Sequence, residues 1–206
     1  MKSRKLFKVC ALLMLAVMSC LLFSGCGGQS EQKKFVITYL PNESTDKNAD
    51  ARKGMAGDLS KVLGMEVTEL VSNDYNAVIE AMRTGKADMA YFGPLSFCLA
   101  YERAGAEPIG MIAKDKDKKN ATYKSVLVTS SKNTDINRIQ DIKGKTMAFV
   151  DPNSTSGNLI PSAAIMKAFP GEKLSMDDLH TNGKFFQAVS FSGKHQAGLA
   201  LSLIHI

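Results

Sequence analysis

The chain has 206 residues, a formal charge of +6, 45% hydrophobic residues, four Cys, 11 Met and no Trp. That length suits one or two α/β units, and the apolar content excludes a disordered chain. Four basic residues, Lys2, Arg4, Lys5 and Lys8, precede Cys26 with no acidic residue among them, so the charge from Cys26 onward is only +2 and does not argue for nucleic acid.

Residues 1–25 read as a lipoprotein signal peptide. The basic start is followed by an apolar run, Cys10 to Phe23, that is too short to span a bilayer comfortably. Ser24 and Gly25 then precede Cys26, the small residues that a lipoprotein signal peptidase requires, so Cys26 is the expected lipidation site. Phe23 stands where an aliphatic residue is usual, beside Leu22. Residues 26–34 form a short polar tether. With Cys10 and Cys20 in the leader and Cys26 modified, Cys98 alone remains. It is expected as a small buried hydrophobe, and no His/Cys set for a metal accompanies it.

From Phe35 the pattern alternates. Phe35–Leu40 is a strand, and Ala49–Leu63 is a helix stopped by Gly64. Glu66–Val71 is a strand. Asp74 caps a helix with Val78, Ile79 and Met82 on one face, closed near Gly85. Ala87–Phe92 is a strand, Pro94–Ala104 a helix ending at Gly105, and Pro108–Ala113 another strand. This order predicts a parallel sheet covered on both faces. Lys114–Asn120 is a solvated charged loop, followed by a strand over Tyr123–Thr129. A second α/β series comprises Ile139–Ile142, Thr146–Val150, an element over Ser154–Phe169, and Phe185–Val189. The crossing between two lobes is placed near residues 114–122, giving lobe 1 at 35–118 and an incomplete lobe 2 at 119–200. Residues 201–206, LSLIHI, match the in-frame translation of a transposase sequencing adapter and are expected to be a scar on a chain that was naturally longer.

The most informative stretch is Asp151-Pro152-Asn153-Ser154-Thr155-Ser156-Gly157, between an apolar run and a helical one. A helix start leaves amide N–H groups unpaired and carries a partial positive charge. Three hydroxyls at that spot make a cradle for a phosphate-like oxyanion without a formal cation. Gly157 is expected to let the backbone approach a ligand. The same residues also suit a plain Ser/Thr cap with no ligand.

DYNAVIEAMRTGKADMAYFGPLSFCLA at 74–100, YKSVLVTSSK at 123–132 and FVDPNSTSG at 149–157 resemble the phosphate/phosphite/phosphonate solute-binding proteins of ABC importers. Gly193-Lys194-His195 resembles a later Gly-x-His element that opens a helix. The resemblance covers about residues 35–200. It implies an α/β, type II periplasmic-binding fold with two lobes and a cleft between them. It also implies capture of a small oxyanion, delivery to an ABC permease, a lipid anchor on the outer face of the cytoplasmic membrane, no enzyme activity and no cofactor.

By the same resemblance, Tyr75 falls on a ligand-contacting Tyr, Ser154, Thr155 and Ser156 on oxyanion-binding hydroxyls, and His195 on the His of the later element. At 91–93 the contacting position holds Phe92, which removes a phenol; either Tyr91 substitutes for it or the ligand needs fewer donors. Acidic residues that read an aminophosphonate amine lie, in the family, beyond residue 206. Tyr39, Asn42, Glu43 and Ser44 follow the first strand, where open α/β sheets place ligands. Two other function classes use the same residues. One is a ligand-sensing module on the same fold. The other is an esterase or phosphatase built on Ser154 or Ser156, for which no Gly-x-Ser-x-Gly elbow or metal cluster is present.

Overall fold

The computed structural model describes residues 33–41, 46–113 and 115–204. The expected signal peptide, Cys26, nearly all of the expected tether, Asn42, Glu43, Ser44 and residues 205–206 lie outside them.

Three strands, β1 (Phe35–Tyr39), β2 (Val67–Leu70) and β3 (Met89–Tyr91), form a parallel sheet in the order β2-β1-β3. Phe35 pairs with Val67, and Tyr39 with Tyr91. Between β1 and β2 lies α1 (Ala49–Leu63). Gly64 ends it with φ 65°, and its N–H reaches the Ser60 carbonyl. Arg52 ties α1 to β2 through a 2.9 Å ion pair with Glu69 and lies over the Tyr39 ring.

Helix α2 (Tyr75–Arg83) starts where Asp74 accepts the Ala77 N–H at 2.7 Å, as its cap position predicts. It buries Tyr75, Val78 and Ile79. Helix α3 (Pro94–Ala104) begins with Pro94 in its first turn, where no N–H is needed. Ser96 and Ala100, four apart, form its buried side. Cys98 sits between them in sequence, so it lies on another side and is exposed; the expected buried thiol is corrected.

The second sheet pairs β4 (Thr146–Phe149) with β5 (Ala188–Phe191), again parallel, with Phe149 opposite Phe191. Helix α4 (Ile160–Ala168) and the short α5 (Met176–His180) come between them. Helix α6 (His195–Ile204) follows β5. The core here is Phe149, Ile165, Leu179, Phe185 and Phe186. The strand expected over Phe185–Val189 therefore starts later. Phe185 and Phe186 form a tight turn instead, with the Gly183 N–H on the Phe186 carbonyl and the Gly144 N–H on the Phe185 carbonyl. Ile139–Ile142 is a 3-10 turn.

Two expected strands are not formed. Residues 108–113 and 123–129 carry the apolar pattern of strands but pair with none of the described residues. Ile109 (82% exposed), Met111, Ile112, Val126 and Val128 face solvent. An apolar run becomes a strand only where a neighbouring edge accepts its backbone groups, and neither run is paired with one among the described residues.

Candidate ligand site

Residues that follow the carboxyl ends of β1 and β4 pack in one cluster. In the first sheet β1 lies between β2 and β3, so successive connections leave it in opposite directions. A crevice opens past the strand ends at such a switch point. A cluster of Leu40, Tyr75, Val78 and Val150 joins the two halves there: Leu40 follows β1, Tyr75 opens α2, and Val150 follows β4.

The loop after β4 turns tightly. Asp151 Oδ1 accepts the Asn153 N–H at 2.8 Å, the Asp151 carbonyl accepts the Ser154 N–H at 2.9 Å, and Asn158 Nδ2 reaches the Pro152 carbonyl at 2.9 Å. The Asp151 carboxylate also accepts the Tyr75 backbone N–H from the other half. Burial is the main cause that raises its pKa, against the lowering effect of those two amides.

The expected helix over Ser154–Phe169 does not start as an α-helix. Residues Thr155–Leu159 form a π-helical turn before α4 begins at Ile160. Pro161, in the first turn of α4, has no N–H, so the Gly157 carbonyl four residues earlier lacks its usual α-helical partner. The Val150 N–H takes that carbonyl at 3.0 Å, and the Leu159 N–H passes back to the Ser154 carbonyl.

Ser154 is 2% exposed and caps this turn, its Oγ accepting the Gly157 N–H at 3.1 Å. Thr155 Oγ1 accepts the Leu95 N–H, in the first turn of α3, at 2.8 Å. The Ser156 carbonyl accepts the Ser125 hydroxyl at 2.7 Å. Ser154 and Thr155 use their hydroxyl oxygens as acceptors, so each keeps an O–H to donate. A cap and a donor cradle are compatible in the same residues.

Gly157 has a different role from the one expected of it. A Cβ there would lie 2.3 Å from Val150 Cγ2 and 2.4 Å from Val150 Cβ. The missing side chain admits Val150, and no ligand is needed to explain it.

His195 opens α6 beside this loop. The extension of β5 keeps it there: the Ser192 N–H meets the Phe149 carbonyl at 2.9 Å and the Gly193 N–H meets the Val150 carbonyl at 2.7 Å. Desolvation lowers the His195 pKa, which favours the neutral imidazole. Tyr75 is 2% exposed within the joining cluster. Tyr91 ends β3. Phe92 packs on the joining cluster and also on the Ile79–Ala100 cluster. The structure thus brings Tyr75, the 154–157 turn and His195 to one convergence of strand ends, with Phe92 beneath it. Sequence reasoning assigned no role to Asp151, Asn158 or Ser125. The Asp-Pro start of the loop was a usable signal for Asp151, and Ser125 lies in the 123–132 stretch that carries the resemblance, but its bond to Ser156, 31 positions away, has no local trace. A separate depression of about 360 Å³ alongside α2, reaching Glu80 and Lys86, contains none of the expected site residues.

A family model described as "ABC transporter, phosphonate, periplasmic substrate-binding protein" matches residues 37–201. The chain is 31% identical over 157 residues to the phosphate-import protein PhnD of Mycolicibacterium smegmatis, covering 71% of this chain and 49% of the relative. It is 31% identical over 145 residues to the phosphonates-binding periplasmic protein of Escherichia coli, covering 68% of this chain and 42% of the relative. Its fold resembles that of a binding protein component of an ABC phosphonate transporter from Pseudomonas aeruginosa, with TM-score 0.65 and 23% identity over 84% of this chain and 54% of that one. The chain therefore spans about half the length of these relatives. Its architecture is the type II periplasmic-binding fold, and it belongs to the periplasmic substrate-binding family of phosphonate ABC transporters.

Proposed function

We propose that the protein captures a small tetrahedral phosphorus oxyanion (a phosphonate, phosphite or phosphate) outside the cytoplasmic membrane and hands it to an ABC importer. The observation that carries this reading is the 154–157 turn. Capped by the buried Ser154, it keeps two hydroxyl donors and a helix start where the strands of both sheets end. The names of the relatives, a phosphate importer and a phosphonate-binding protein, support the same ligand class.

Residues 35–118 and 119–200 act as two lobes around the ligand. The anion enters an open cleft and accepts hydrogen bonds from Ser154, Thr155 and Ser156, with Tyr75, Tyr91 and His195 at its border and Phe92 packing below. Hydrogen bonds to a charged acceptor contribute about 1.5–3 kcal/mol each. A few of them, less ordering and desolvation costs, reach roughly micromolar affinity or tighter. Closure follows because the closed state fits the anion better. The binding step makes and breaks no covalent bond, so the protein acts as a carrier and not as an enzyme. A signal peptide directs its export, and lipidation of Cys26 holds it on the outer face of the membrane.

The test is calorimetry with phosphate, phosphite and methylphosphonate on the unaltered chain and on a variant with Ser154, Thr155 and Ser156 all replaced by Ala. Loss of at least two orders of magnitude in affinity is expected. Unchanged affinity for all three anions overturns the reading.

A further inference from the structure

We propose that Asp151 is the latch of the capture step: its carboxylate fastens the cradle loop to the start of α2, so a bond that the anion does not itself make holds the two halves together over it. This rests on the oxyanion reading of the 154–157 turn and adds to it a positioning residue that does not touch the ligand.

Two side-chain oxygens from the loop and turn after β4 reach helix starts in the other half. The Asp151 carboxylate accepts the N–H of Tyr75, the first residue of α2. Thr155 Oγ1 accepts the N–H of Leu95, in the first turn of α3, at 2.8 Å. First-turn amides have no partner within their own helix. Asp74 takes the Ala77 N–H of α2 at 2.7 Å, and Asp151 takes an earlier one from across the halves. A carboxylate is also the acceptor that a helix start favours most. Neither bond between the halves uses a ligand atom, so both can form before an anion arrives.

The local turn alone does not explain a carboxylate at 151. Asp151 Oδ1 accepts the Asn153 N–H at 2.8 Å, and an Asn would close that turn as well. Burial of the side chain, which leaves Asp151 8% exposed, and the charge of Asp74 both disfavour a second negative group there. What a carboxylate offers beyond an amide is a second acceptor oxygen, and the Tyr75 N–H uses that capacity. The same residue holds the cradle through its main chain, because its carbonyl accepts the Ser154 N–H at 2.9 Å. Asp151 therefore sets the spacing between the hydroxyl turn and Tyr75, whose side chain packs with Val150 in the joining cluster.

The experiment combines amide hydrogen exchange without added anion and binding kinetics with phosphate and methylphosphonate, on the unaltered chain and on Asp151→Ser. A Ser hydroxyl closes the local turn but is one atom too short to reach α2. In the unaltered chain the Tyr75 amide is expected to exchange slowly. In Asp151→Ser it is expected to exchange fast while the Asn153 amide stays protected, and both anions to bind about tenfold or more weakly. The loss is expected in the dissociation rate, since the cradle that first meets the anion is unchanged. A general loss of structure would instead release both amides together. Should Asp151→Ser fail to fold, Asp151→Asn, with one acceptor oxygen for two amides, decides by the same readings. In either variant affinity is expected to follow Tyr75 protection. Affinity that holds while that protection is lost, or falls while it persists, overturns the latch and leaves the cradle standing, as does fast exchange of Tyr75 in the unaltered chain. No binding of either anion by the unaltered chain overturns the oxyanion reading and the latch with it.

Discussion

At the scale of single residues, Val150 fills the space that the missing side chain of Gly157 leaves between Ser156 and Asn158, where room for a ligand was expected. A substitution separates the two roles. Gly157→Ala would force a Cβ to within 2.3 Å of a side chain close to its own backbone, so something must shift. Overpacking of this kind costs about 1–3 kcal/mol. The expected outcome is a thermal midpoint several degrees lower without any ligand present. A variant that melts like the unaltered chain would return Gly157 to the ligand. The Ser-Thr-Ser run was legible because hydroxyls before a helical pattern have few uses. That Thr155 meets Leu95, 60 positions away, was not, because such a contact leaves no periodic signal in either segment.

At the scale of elements, caps and glycine stops located the helices of the first half. Asp74, Gly64 and Gly105 bound their helices where the sequence placed them. The second half was less legible because its elements answer to one another. The Val150 N–H takes the Gly157 carbonyl of the π turn, and β5 begins only past the turn that places Phe185 and Phe186 in the core. Helix α5 was missed in the sequence and carries a pH dependence. It ends at His180, whose ring meets Phe149 at 5.0 Å and Phe191 at 5.2 Å, both edge-on. Its Nε2 is buried and has no hydrogen-bond partner among the described residues. Burial lowers the His180 pKa from 6.5, and Asp177 opposes this only in part. Between the lowered value and 6.5 the unfolded chain binds the proton and the fold does not. Stability is then full above about pH 6.5 and falls as pH drops toward the lowered value. Melts between pH 7.5 and pH 5 are expected to show this loss, and His180→Leu to reduce it. An equal loss in that variant would assign the effect elsewhere.

At the scale of the whole molecule, the fold class and the two-sheet plan were legible because strand and helix patterns alternate regularly. The partners of 108–113 and 123–129 were not, because an apolar pattern states that a segment wants burial and not what will bury it. Among the described residues these runs remain exposed, with Ile109, Met111, Ile112, Val126 and Val128 at the surface. Apolar surface gathered in this way drives association. The chain is expected to self-associate as its concentration rises, and a variant with Ile109, Ile112 and Val126 replaced by Thr to do so less. Sedimentation velocity distinguishes the outcomes, and a monomer at all concentrations for the unaltered chain would contradict the prediction.

The bond from the Gly193 amide to the Val150 carbonyl reaches beyond local structure. It continues the ladder past the last paired residues, Phe149 and Phe191, and so ties the loop that leads into the hydroxyl-bearing turn to the start of the helix that His195 opens. An anion gripped by the turn alone would still set the position of His195, and a disturbance at His195 would be felt by the grip.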